Sequence, residues 1–311
     1  MLKFSIVIVN WNSGEQLREC IESIENFGMC GEKLTKVIIV DNCSTDRSAE
    51  CVSSKIPLVI FRNTINMGFG FACNQGASQC EDDYVLFLNP DTRLFAGSLE
   101  RALDFMEKPE NTKAGICGIQ LIDEDGHVAR SCARFPSAGG FIAHALGIDR
   151  FIPTFSHFMA EWDHASTREV DQVIGAFFLI RRVLFEKLLG FDEKFFVYFE
   201  EVDISYRAKQ LGWSSVYLSE ARAFHAGGGT SRKIKAKRLF YSLRSRILYS
   251  FKHFDPLSAL FVLLATLLLE PISRFALAIA HFSWASLKET SVAYGMLFRW
   301  LPDWIFKGVT R

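Results

Sequence analysis

Short runs of branched and aromatic residues alternate with helical patterns along the first third of the chain. The runs predict buried strands at residues 4–9, 36–40, 58–61 and 84–88, and the patterns between them predict helices at residues 14–27 and 69–80. Uninterrupted apolar runs of this length are typical of strands covered on both faces. The alternation therefore predicts consecutive βαβ units, and with them an α/β fold with a doubly wound, mostly parallel sheet.

Each of these predicted strands stops abruptly at polar residues. In chain order they are Asn10-Trp11-Asn12, Asp41, Arg62-Asn63 and Asn89-Pro90-Asp91. Because the carboxyl ends of parallel strands share one edge of a sheet, where open α/β folds hold their ligands, the pattern favours a nucleotide site. Asp91 offers the hard oxygen ligand that suits a divalent cation bound to phosphates. A strand followed by an ordinary Asx-Pro turn is the alternative interpretation of residues 89–91.

Two further features near this edge carry weaker signals. Asp41 is placed to accept hydrogen bonds from a ribose or a base. The alternative is a helix N-cap, a role that residues 44–46 are also able to fill. The loop at residues 66–71, which contains Asn66 and Gly68, suits a close backbone approach to a ligand, but it lacks the spacing of the dinucleotide fingerprint.

The rest of the chain up to residue 231 predicts further strands and an acidic helix. The patterns indicate a helix at residues 98–106, a strand at 114–119, a hairpin with an Asp-Gly turn at 121–128, a strand at 173–180, a helix at 182–189, a helix that reaches residue 211 and a strand at 215–218. Residues 134–167 show no period, which is typical of a functional loop, such as a flap over an acceptor, or of poor order.

Three carboxylates open the helix that reaches residue 211. Acids in a first helical turn complement the helix dipole, which is the routine explanation. Glu200 and Asp203 share one helix face, and Arg207 follows Asp203 at the spacing of an ion pair. Glu201 is therefore predicted to be free for a proton, as a general base must be. An apolar or acidic neighbourhood would be needed to keep it basic.

The C-terminal region predicts attachment to a membrane surface. Residues 232–252 carry eight Lys or Arg and no acid on an amphipathic helical pattern, and neither residues 256–269 nor residues 275–287 contain a charge. Because each uncharged run is shorter than the roughly 20 residues of a spanning helix, two helices that lie in the interface are the favoured prediction. The core of an oligomer is the competing explanation.

Composition narrows the setting. A chain of 311 residues that is 49% hydrophobic is able to bury one or two large cores, and its zero net charge gives no reason to expect nucleic acid as a partner. The N-terminus enters a strand directly and lacks the cleavage pattern of a signal peptide. The eight cysteines contain no Cys-x-x-Cys pair, which predicts buried reduced thiols in a cytosolic protein.

Five motifs occur in a recognisable order. They are Asn10-Trp11-Asn12, Val40-Asp41-Asn42-Cys43-Ser44-Thr45-Asp46, Asn66-Met67-Gly68-Phe69-Gly70, Leu88-Asn89-Pro90-Asp91 and Tyr198-Phe199-Glu200-Glu201-Val202-Asp203. Together they resemble glycosyltransferase family 2, and most of all its bacterial rhamnosyltransferase-type members, which build O-antigen and other cell-surface polysaccharides. The resemblance implies a GT-A fold over residues 1–231, an αβα sandwich with a nucleotide-binding half (1–120) and an acceptor-binding half (121–231). A basic and apolar helical region (232–311) follows.

The resemblance also implies an inverting transfer of a sugar from a nucleotide-sugar, dependent on Mg²⁺ or Mn²⁺. By position, Asp91 and His225 would hold the metal. The residues implied to bind the nucleotide-sugar are Asn10, Trp11, Asn12, Asp41, Arg62, Asn66, Gly68, Asn74, Asn89 and Asp91. Glu201 stands where the family's catalytic base is usually Asp, so Asp203 and Glu200 stay open as alternatives. Asn89 replaces the first acid of the DxD motif, which removes a negative charge.

The expected donor, on resemblance, is dTDP-L-rhamnose, with UDP-sugars next. The expected acceptor is a saccharide, lipid-linked because of the C-terminal region, which indicates a peripheral protein on the cytoplasmic side of the inner membrane, alone or as a homo-oligomer. A nucleotidyltransferase is disfavoured, because it would carry a glycine-rich basic loop where this chain has Asn10-Trp11-Asn12. A catalytically inactive, membrane-associated nucleotide-binding scaffold is the alternative of another class.

Overall fold

The computed structural model describes residues 2–27, 33–50, 55–148, 152, 159, 161–227 and 234–310. The chain forms two compact units. The sheet unit consists of Met1–Arg134, Trp162–Glu193 and Glu200–Thr230, and the helical unit of Phe135–Glu161, Lys194–Phe199 and Ser231–Arg311. The helical unit therefore takes in two segments from the middle of the chain besides the C-terminal region.

The first half of the sheet unit is built from parallel strands. It contains β1 (Phe4–Asn10), α1 (Glu15–Phe27), β2 (Leu34–Asp41), β3 (Leu58–Arg62), α2 (Phe69–Ala77) and β4 (Tyr84–Leu88). β1 pairs in parallel with β2 on one side and with β4 on the other, and β3 pairs in parallel with β2. Every residue of β1 and β4 is buried, as their apolar runs predict. The predicted βαβ units are confirmed.

The second half adds strands of both directions. In chain order the elements are β5 (Thr92–Leu94), α3 (Ser98–Glu107), β6 (Ala114–Ile122), β7 (Val128–Ala129), β8 (Cys132–Ala133), α4 of the helical unit (Ala138–Leu146), β9 (Arg168–Val170), β10 (Gln172–Val173), β11 (Phe177–Arg181), α5 (Arg182–Lys187), α6 (Glu200–Gln210) and β12 (Ser214–His225). The main sheet has the order β3-β2-β1-β4-β11-β6-β12-β5. Within it β6 and β12 are parallel, whereas β11 and β5 run against their neighbours.

Two strands differ from the prediction. The apolar run at residues 173–180 bends at residues 174–176 and is divided between β10, which pairs with β8 in a separate two-stranded sheet, and β11. The run hides this bend because both of its parts are buried. The last strand does not stop at Leu218 but reaches His225, with a register shift between Leu218 and Arg222 that interrupts the pattern.

Alternate residues of the strands face two layers of helices. Ile8 of β1 belongs to one core cluster with buried residues of α1 and α3. On the other face, the rings of Phe87 and Phe191 lie 5.0 Å apart. α2 covers the same face so closely that a Cβ atom at Gly76 would come within 2.4 Å of the Val7 side chain. The sheet unit is thus the αβα sandwich that was predicted.

The cysteines match their prediction where the structure describes them. Six are free thiols, and all of these except Cys43 are buried. Burial raises the pKa of Cys80 to about 11 and that of Cys117 to about 12, which makes both poor nucleophiles at neutral pH. Cys30 and Cys51 lie outside the described residues.

The helical unit combines α4 with the C-terminal helices. These are α7 (Lys235–His253), α8 (Pro256–Leu264), α9 (Glu270–Ala280) and α10 (Trp284–Lys307). α4 corrects the prediction that residues 134–167 are irregular. Its N-cap Ser137 accepts a hydrogen bond from the Gly140 amide at 3.1 Å, and Gly147 ends the helix in the left-handed conformation. Residues 149–151, 153–158 and 160 of the predicted flap lie outside the described part of the chain.

The uncharged C-terminal runs do not form two separate helices, which corrects a second prediction. Pro256–Ala280 is one continuous helical segment, because a π-helical turn at Ala265–Leu269 lets the helix continue past Pro271. Its 25 residues are long and apolar enough to cross a membrane by length and composition, and 22% of its most apolar stretch is buried within the protein. These two properties alone do not distinguish a span from a helix that lies on a surface.

A buried ion cluster ties α7 to α9. Glu270 is 1% exposed and accepts hydrogen bonds from Arg246 at Oε2 and from Arg274 at Oε1, the latter 2.6 Å from Nη2 and 2.8 Å from Nε. Burial by itself raises the pKa of Glu270, but the charges of Arg246 and Arg274 outweigh it and bring the pKa down to about 2. The cluster is therefore ionised and structural at neutral pH.

Candidate active site

The carboxyl ends of β1, β2 and β3 put three of the predicted residues in one row. Asn10 lies opposite Asp41 in the register, and Asp41 lies opposite Arg62. The buried Asn10 amide donates to Asp41 Oδ1 at 2.7 Å and to Ser48 Oγ at 2.8 Å. Among the described residues, the Asp41 carboxylate accepts from the Asn10 side chain and from no helix N–H, whereas Asp46 Oδ1 accepts from the Ser48 amide at 3.0 Å. Asn10 therefore orients the Asp41 carboxylate at the edge of the sheet.

The loops after β1 and β2 are joined by side-chain hydrogen bonds. Asn12, which adopts a left-handed φ of 53°, accepts at Oδ1 from the Thr45 amide at 2.7 Å. The Asn12 backbone N–H donates to Ser44 Oγ at 2.9 Å. Trp11 and Asn12 stay partly exposed beside Asp41, and Arg62 is exposed. The loops after β1 and β2 are therefore joined by hydrogen bonds and are not two separate turns.

Asn42 is a functional candidate that the sequence reasoning did not single out. Only 2% of its surface is exposed, and its amide donates to Asn66 Oδ1 at 2.9 Å and to the Gly68 carbonyl at 3.1 Å. Its Oδ1 accepts from the Met67 amide at 3.0 Å. Gly68 has a φ of 89°, which a side chain would strain. Asn42 therefore fixes the loop that carries Asn66 and Gly68; its signal was its place directly after Asp41.

Asn74 on α2 binds the segment that leads toward α6. Its amide donates to the Phe191 carbonyl at 2.9 Å and to Glu193 Oε1 at 3.1 Å, and its Oδ1 accepts from the Phe191 amide at 2.9 Å. These bonds occupy the side chain and position the 190–193 loop. A direct contact between Asn74 and a nucleotide-sugar stays a prediction.

Asp91 and His225 meet because the chain reverses directly after β4. β5 begins at Thr92 and pairs antiparallel with the end of β12, so that Thr92 lies opposite His225. His225 Nε2 then lies 3.3 Å from Asp91 Oδ1, and the two side chains are 12% and 9% exposed. The Asp91 carbonyl also accepts from the Ala226 amide at 3.2 Å. The structure thus brings together the two residues that the resemblance implies as metal ligands.

The Asp91–His225 pair offers a carboxylate oxygen 3.3 Å from an imidazole nitrogen, a donor set whose chemistry suits a divalent cation. An imidazole nitrogen beside a carboxylate oxygen favours Mn²⁺, because Mg²⁺ prefers oxygen ligands.

A second set of potential ligands lies in the predicted hairpin, whose strands are β6 and β7. Asp123, Asp125 and His127 bring their donor atoms within 4.8 Å of one another at the protein surface. Asp123 Oδ1 already accepts from the Asp125 amide at 3.0 Å and from the His127 amide at 2.8 Å. These bonds are those of an Asx-type turn, and we assign no metal to it.

Asp203 is the structural carboxylate of α6. It is fully buried, and its Oδ2 lies 2.7 Å from Nε of Arg207. Arg207 also donates to the carbonyls of Leu188 and Gly190, at 2.6 and 2.9 Å. The predicted Asp203–Arg207 pair is confirmed, and it ties α6 to the end of α5. A carboxylate neutralised in this way is a weak proton acceptor, which argues against the alternative that Asp203 is the base.

Glu200 and Glu201 have the opposite surroundings. One oxygen of each, Oε2, is buried without a hydrogen-bond partner among the described residues. Burial raises the pKa of both, and the charge of Glu201 raises that of Glu200 further. Burial and the charges of these two acids also raise the pKa of Cys73, so the carboxylates lie near α2. The acidic, desolvated neighbourhood that a general base needs is therefore present.

The chain enters α6 through a strained turn. Tyr198 and Phe199 have φ values of 69° and 74°, and two consecutive left-handed residues other than glycine are costly. Within the helical unit, the ring of Phe199 lies 5.9 Å from that of Phe141 and 5.4 Å from that of Tyr249. Such strain persists where packing holds it and is typical of functional sites. No local sequence pattern indicates this turn.

Local contacts link the Asn89–Asp91 turn to the start of α2. The carbonyl of Ala176 accepts from the Asn89 amide at 3.0 Å. Beside it, a Cβ atom at Gly175 would lie 3.9 Å from the ring of Phe69, the first residue of α2. The turn after β4 and the loop that ends at Gly68 are therefore neighbours at the carboxyl edge of the sheet, as a nucleotide site requires.

The residues of the candidate site lie largely within a stretch that matches a known protein family. A family model described as glycosyl transferase family 2 matches residues 5–204. The chain is 30% identical over 234 residues to N-acetylglucosaminyl-diphospho-decaprenol L-rhamnosyltransferase of Mycobacterium tuberculosis, covering 71% of this chain and 75% of the relative. It is 24% identical over 274 residues to rhamnosyltransferase WbbL of Escherichia coli, covering 82% of this chain and 98% of that protein.

Solved structures share the fold. Mannosyltransferase PcManGT from Pyrobaculum calidifontis, in complex with GDP-Man and Mn²⁺, superposes with a TM-score of 0.55 at 16% identity, over 94% of this chain and 73% of that one. TarS of S. aureus superposes with a TM-score of 0.52 at 19% identity, over 86% of this chain and 43% of that larger protein. At these identities the likeness concerns the fold alone, which is of the GT-A type.

Proposed function

Because this chain belongs to glycosyl transferase family 2, we propose that it transfers L-rhamnose from dTDP-L-rhamnose, with inversion, to a lipid-linked saccharide in the synthesis of a cell-surface polysaccharide of the O-antigen type. The two rhamnosyltransferase relatives support the sugar, and the mycobacterial one, named for an N-acetylglucosaminyl-diphospho-decaprenol acceptor, supports a lipid diphosphate acceptor. The observation that carries the proposal is the approach of His225 to Asp91, since β1 and β2 also end in polar residues, Asn10 and Asp41.

The donor would bind along the carboxyl edge of the first four strands. Asp41, oriented by Asn10, would accept a hydrogen bond from the nucleobase, while Trp11 and Asn12 line its pocket. Further contacts to the nucleotide-sugar are proposed for Arg62, Asn66, Gly68, Asn74 and Asn89. The many loop-to-loop hydrogen bonds of this edge support a preformed site.

Asp91 and His225 would hold a divalent cation, Mn²⁺ or Mg²⁺. When bound there, the cation would supply positive charge against the charge that develops on the departing nucleoside diphosphate. Asn89 contributes an amide where the family has an acid, so Asp91 supplies the negative charge of this turn. We therefore expect weaker metal binding than at a site with two acids.

Glu201 is the proposed general base. It would take the proton from an acceptor hydroxyl as the hydroxyl oxygen bonds to the anomeric carbon and the bond from that carbon to the diphosphate breaks. One displacement of this kind inverts the anomeric centre. Burial supports the assignment, because a carboxylate with a raised pKa is a stronger proton acceptor than an ordinary one. Glu201 is also less buried than Glu200, which favours access for an acceptor.

The helical unit would rest on the cytoplasmic surface of the inner membrane. It exposes large apolar side chains, among them Leu257, Phe261, Ile272, Phe282 and Trp284. α7 adds basic residues without an acid. This combination suits an interfacial surface with anionic lipids. A homo-oligomer that covers the apolar side chains is the competing explanation.

The test is a donor panel on the purified full-length protein. The protein is incubated with Mn²⁺ or Mg²⁺, a lipid-diphosphate-linked N-acetylglucosamine acceptor and dTDP-rhamnose, UDP-sugars or GDP-sugars in turn, and nucleoside diphosphate release is measured. We expect release from dTDP-rhamnose above all, and its loss in Asp91→Asn. The exposed Glu186→Gln serves as the control. A protein that binds a donor but transfers nothing from any of them would favour the inactive scaffold.

A further inference from the structure

One arginine of the helical unit is buried and has no counter-ion among the described residues. Arg244 lies in the middle of α7 with 4% of its surface exposed. Its Nε and Nη2 atoms are buried and have no hydrogen-bond acceptor among the described residues. Burial lowers the pKa of the guanidinium to about 10, so the group is still a cation at neutral pH. A positive charge with free N–H donors is therefore held inside the described part of this unit.

The neighbouring Arg246 shows that this helix is able to pair a buried arginine. It lies two residues further along α7, is 5% exposed and binds Glu270. A buried charge without a partner opposes folding, and chains ordinarily pair or replace it. Arg244 keeps its charge at that cost, which indicates a partner that is not part of the described chain.

Three aromatic rings surround the Arg244 guanidinium. Its Cζ lies 5.5 Å from the ring centroid of Phe196, 5.2 Å from that of Phe240 and 5.0 Å from that of Tyr241. Rings within about 6 Å stabilise a cation, but they accept no conventional hydrogen bond from its edge. A guanidinium whose surroundings are aromatic and whose edge donors are free suits a two-oxygen anion such as a phosphate.

The rings are held in place by further contacts of the same unit. Phe196 and Tyr241 stack at 4.9 Å with an interplanar angle of 26°. Ser245, next to Arg244, donates to the Val197 carbonyl at 2.9 Å and so fixes the 194–199 segment on α7. Phe196 also precedes Glu200 by four residues in the chain. The site is therefore built from two fixed segments rather than from a single flexible side chain.

The surroundings favour one kind of anion. The first turns of α7 carry Lys235, Lys237 and Arg238 and no acid, and the unit also exposes large apolar side chains such as Phe261 and Ile272. A ligand that matches both properties has an anionic head and a hydrocarbon chain. A nucleoside diphosphate has the anion but offers nothing to the apolar surface.

We propose that Arg244, within the rings of Phe196, Phe240 and Tyr241, binds the diphosphate of the lipid-linked acceptor. The identification of the ligand as an acceptor rests on the proposed function, whereas the binding of a prenyl diphosphate does not require turnover. Arg244 is then a binding residue for the lipid carrier and belongs to the helical unit, whereas the residues proposed to bind the donor belong to the sheet unit.

The experiment measures binding of farnesyl diphosphate and of farnesol to the full-length protein by titration calorimetry in neutral detergent. We expect the diphosphate to bind at least about 10-fold more tightly than the alcohol. Arg244→Gln should remove most of that advantage, and Arg299→Gln, at an exposed residue of α10 in the same unit, should keep it. Binding of dTDP should be equal in all three proteins.

Three results would overturn the proposal. One is equal affinity of the wild type for farnesyl diphosphate and farnesol; another is a loss in Arg244→Gln of dTDP binding instead, which would give the anion to the donor. The third is an Arg244→Gln variant that loses affinity for phosphatidylglycerol vesicles but still binds farnesyl diphosphate. Arg244 would then bind the headgroup of a membrane lipid.

Two readouts keep the test independent of variant folding and of catalysis. Farnesyl diphosphate should raise the wild-type melting temperature more than farnesol does, and no variant is needed for that comparison. If the donor panel shows no transfer while Arg244-dependent diphosphate binding persists, the proposed function fails and the binding site stands. If transfer occurs without such binding, the proposed function stands and the binding site fails.

Discussion

Glu200 and Glu201 at the start of α6 and Glu270 at the start of α9 all hold a carboxylate oxygen away from water, yet their acid–base character is opposite. Glu200 and Glu201 have raised pKa values, because burial removes water and no described cation replaces it. Glu270 is buried as well, but two arginines bring its pKa down to about 2. The difference lies in the neighbours and not in the depth. A buried acid with a partner holds this fold together, whereas one without a partner is available to a proton or a ligand.

The same contrast recurs inside each region. On α6, Asp203 is paired with Arg207 only two residues after the unpaired Glu201. On α7, the unpaired Arg244 lies two residues before Arg246, which binds Glu270. In each helix the paired group and the unpaired group lie two residues apart in the sequence. Mutations that neutralise one group at a time should therefore separate function from stability.

The largest effect is expected at Glu201. Glu201→Gln keeps the size of the side chain but removes the proton acceptor, so kcat should fall by about 100-fold to 10,000-fold while the melting temperature does not fall. The measurement is nucleoside diphosphate release at saturating donor and acceptor, with Glu186→Gln as the surface control. If Glu201→Gln keeps the wild-type rate and Glu200→Gln loses it, the base is Glu200.

Stability should respond most at Glu270. Glu270→Gln leaves Arg246 and Arg274 buried without a counter-ion, so the free energy of unfolding should fall by about 3–5 kcal/mol, measured by urea denaturation. Glu289→Gln, which breaks a 3.9 Å contact with Lys235 at the surface, should cost less than about 1 kcal/mol. Equal losses in the two variants would mean that the partners of Glu270 add nothing.

Much of the sheet unit could be predicted because its information is local. The apolar runs of β1 and β4 are uninterrupted, and the polar residues after them mark the functional edge. The spacing of Asp203 and Arg207 predicts their ion pair for the same reason, since an i, i+4 pair needs only a helix. The meeting of Asp91 with His225 depends on β5, a strand of three residues that is too short to show a period.

The helical unit shows where such reasoning stops. The two uncharged runs predicted two separate helices, but the π-helical turn before Glu270 keeps the helix continuous past Pro271. α4 shows no clear apolar period, and its boundaries were signalled only by Ser137 and Gly147. On sequence alone Arg244 and Arg246 are equivalent basic residues. Which of them has a partner depends on Glu270, 24 residues further on than Arg246, and no local pattern encodes that contact.

The stabilisation by the ionised Glu270 carboxylate should be lost at low pH. The folded-state pKa of Glu270, about 2, lies below the ordinary value of 4.5, so ionised Glu270 favours the folded state. The resulting stabilisation is complete above about pH 4.5 and is lost as the pH falls through about 2; a shift of this size corresponds to about 3 kcal/mol. Urea midpoints of wild type and Glu270→Gln should therefore converge in acid, and a constant difference would contradict the ionic origin.

The smallest effect, with the opposite sign, is expected at Glu200. Its folded-state pKa lies above the ordinary value of 4.5, so ionisation of Glu200 opposes folding at neutral pH. That penalty is relieved as the pH falls through the folded-state pKa and is absent below about 4.5, where the carboxyl is protonated in both states. Glu200→Gln should consequently melt a few degrees above wild type at pH 8, with the gain shrinking as the pH is lowered toward 4.5. Melting curves at steps of one pH unit, with Glu186→Gln in parallel, measure this. A gain that does not depend on pH would come from packing, and a loss at pH 8 would mean that Glu200 has a partner that stabilises its charge.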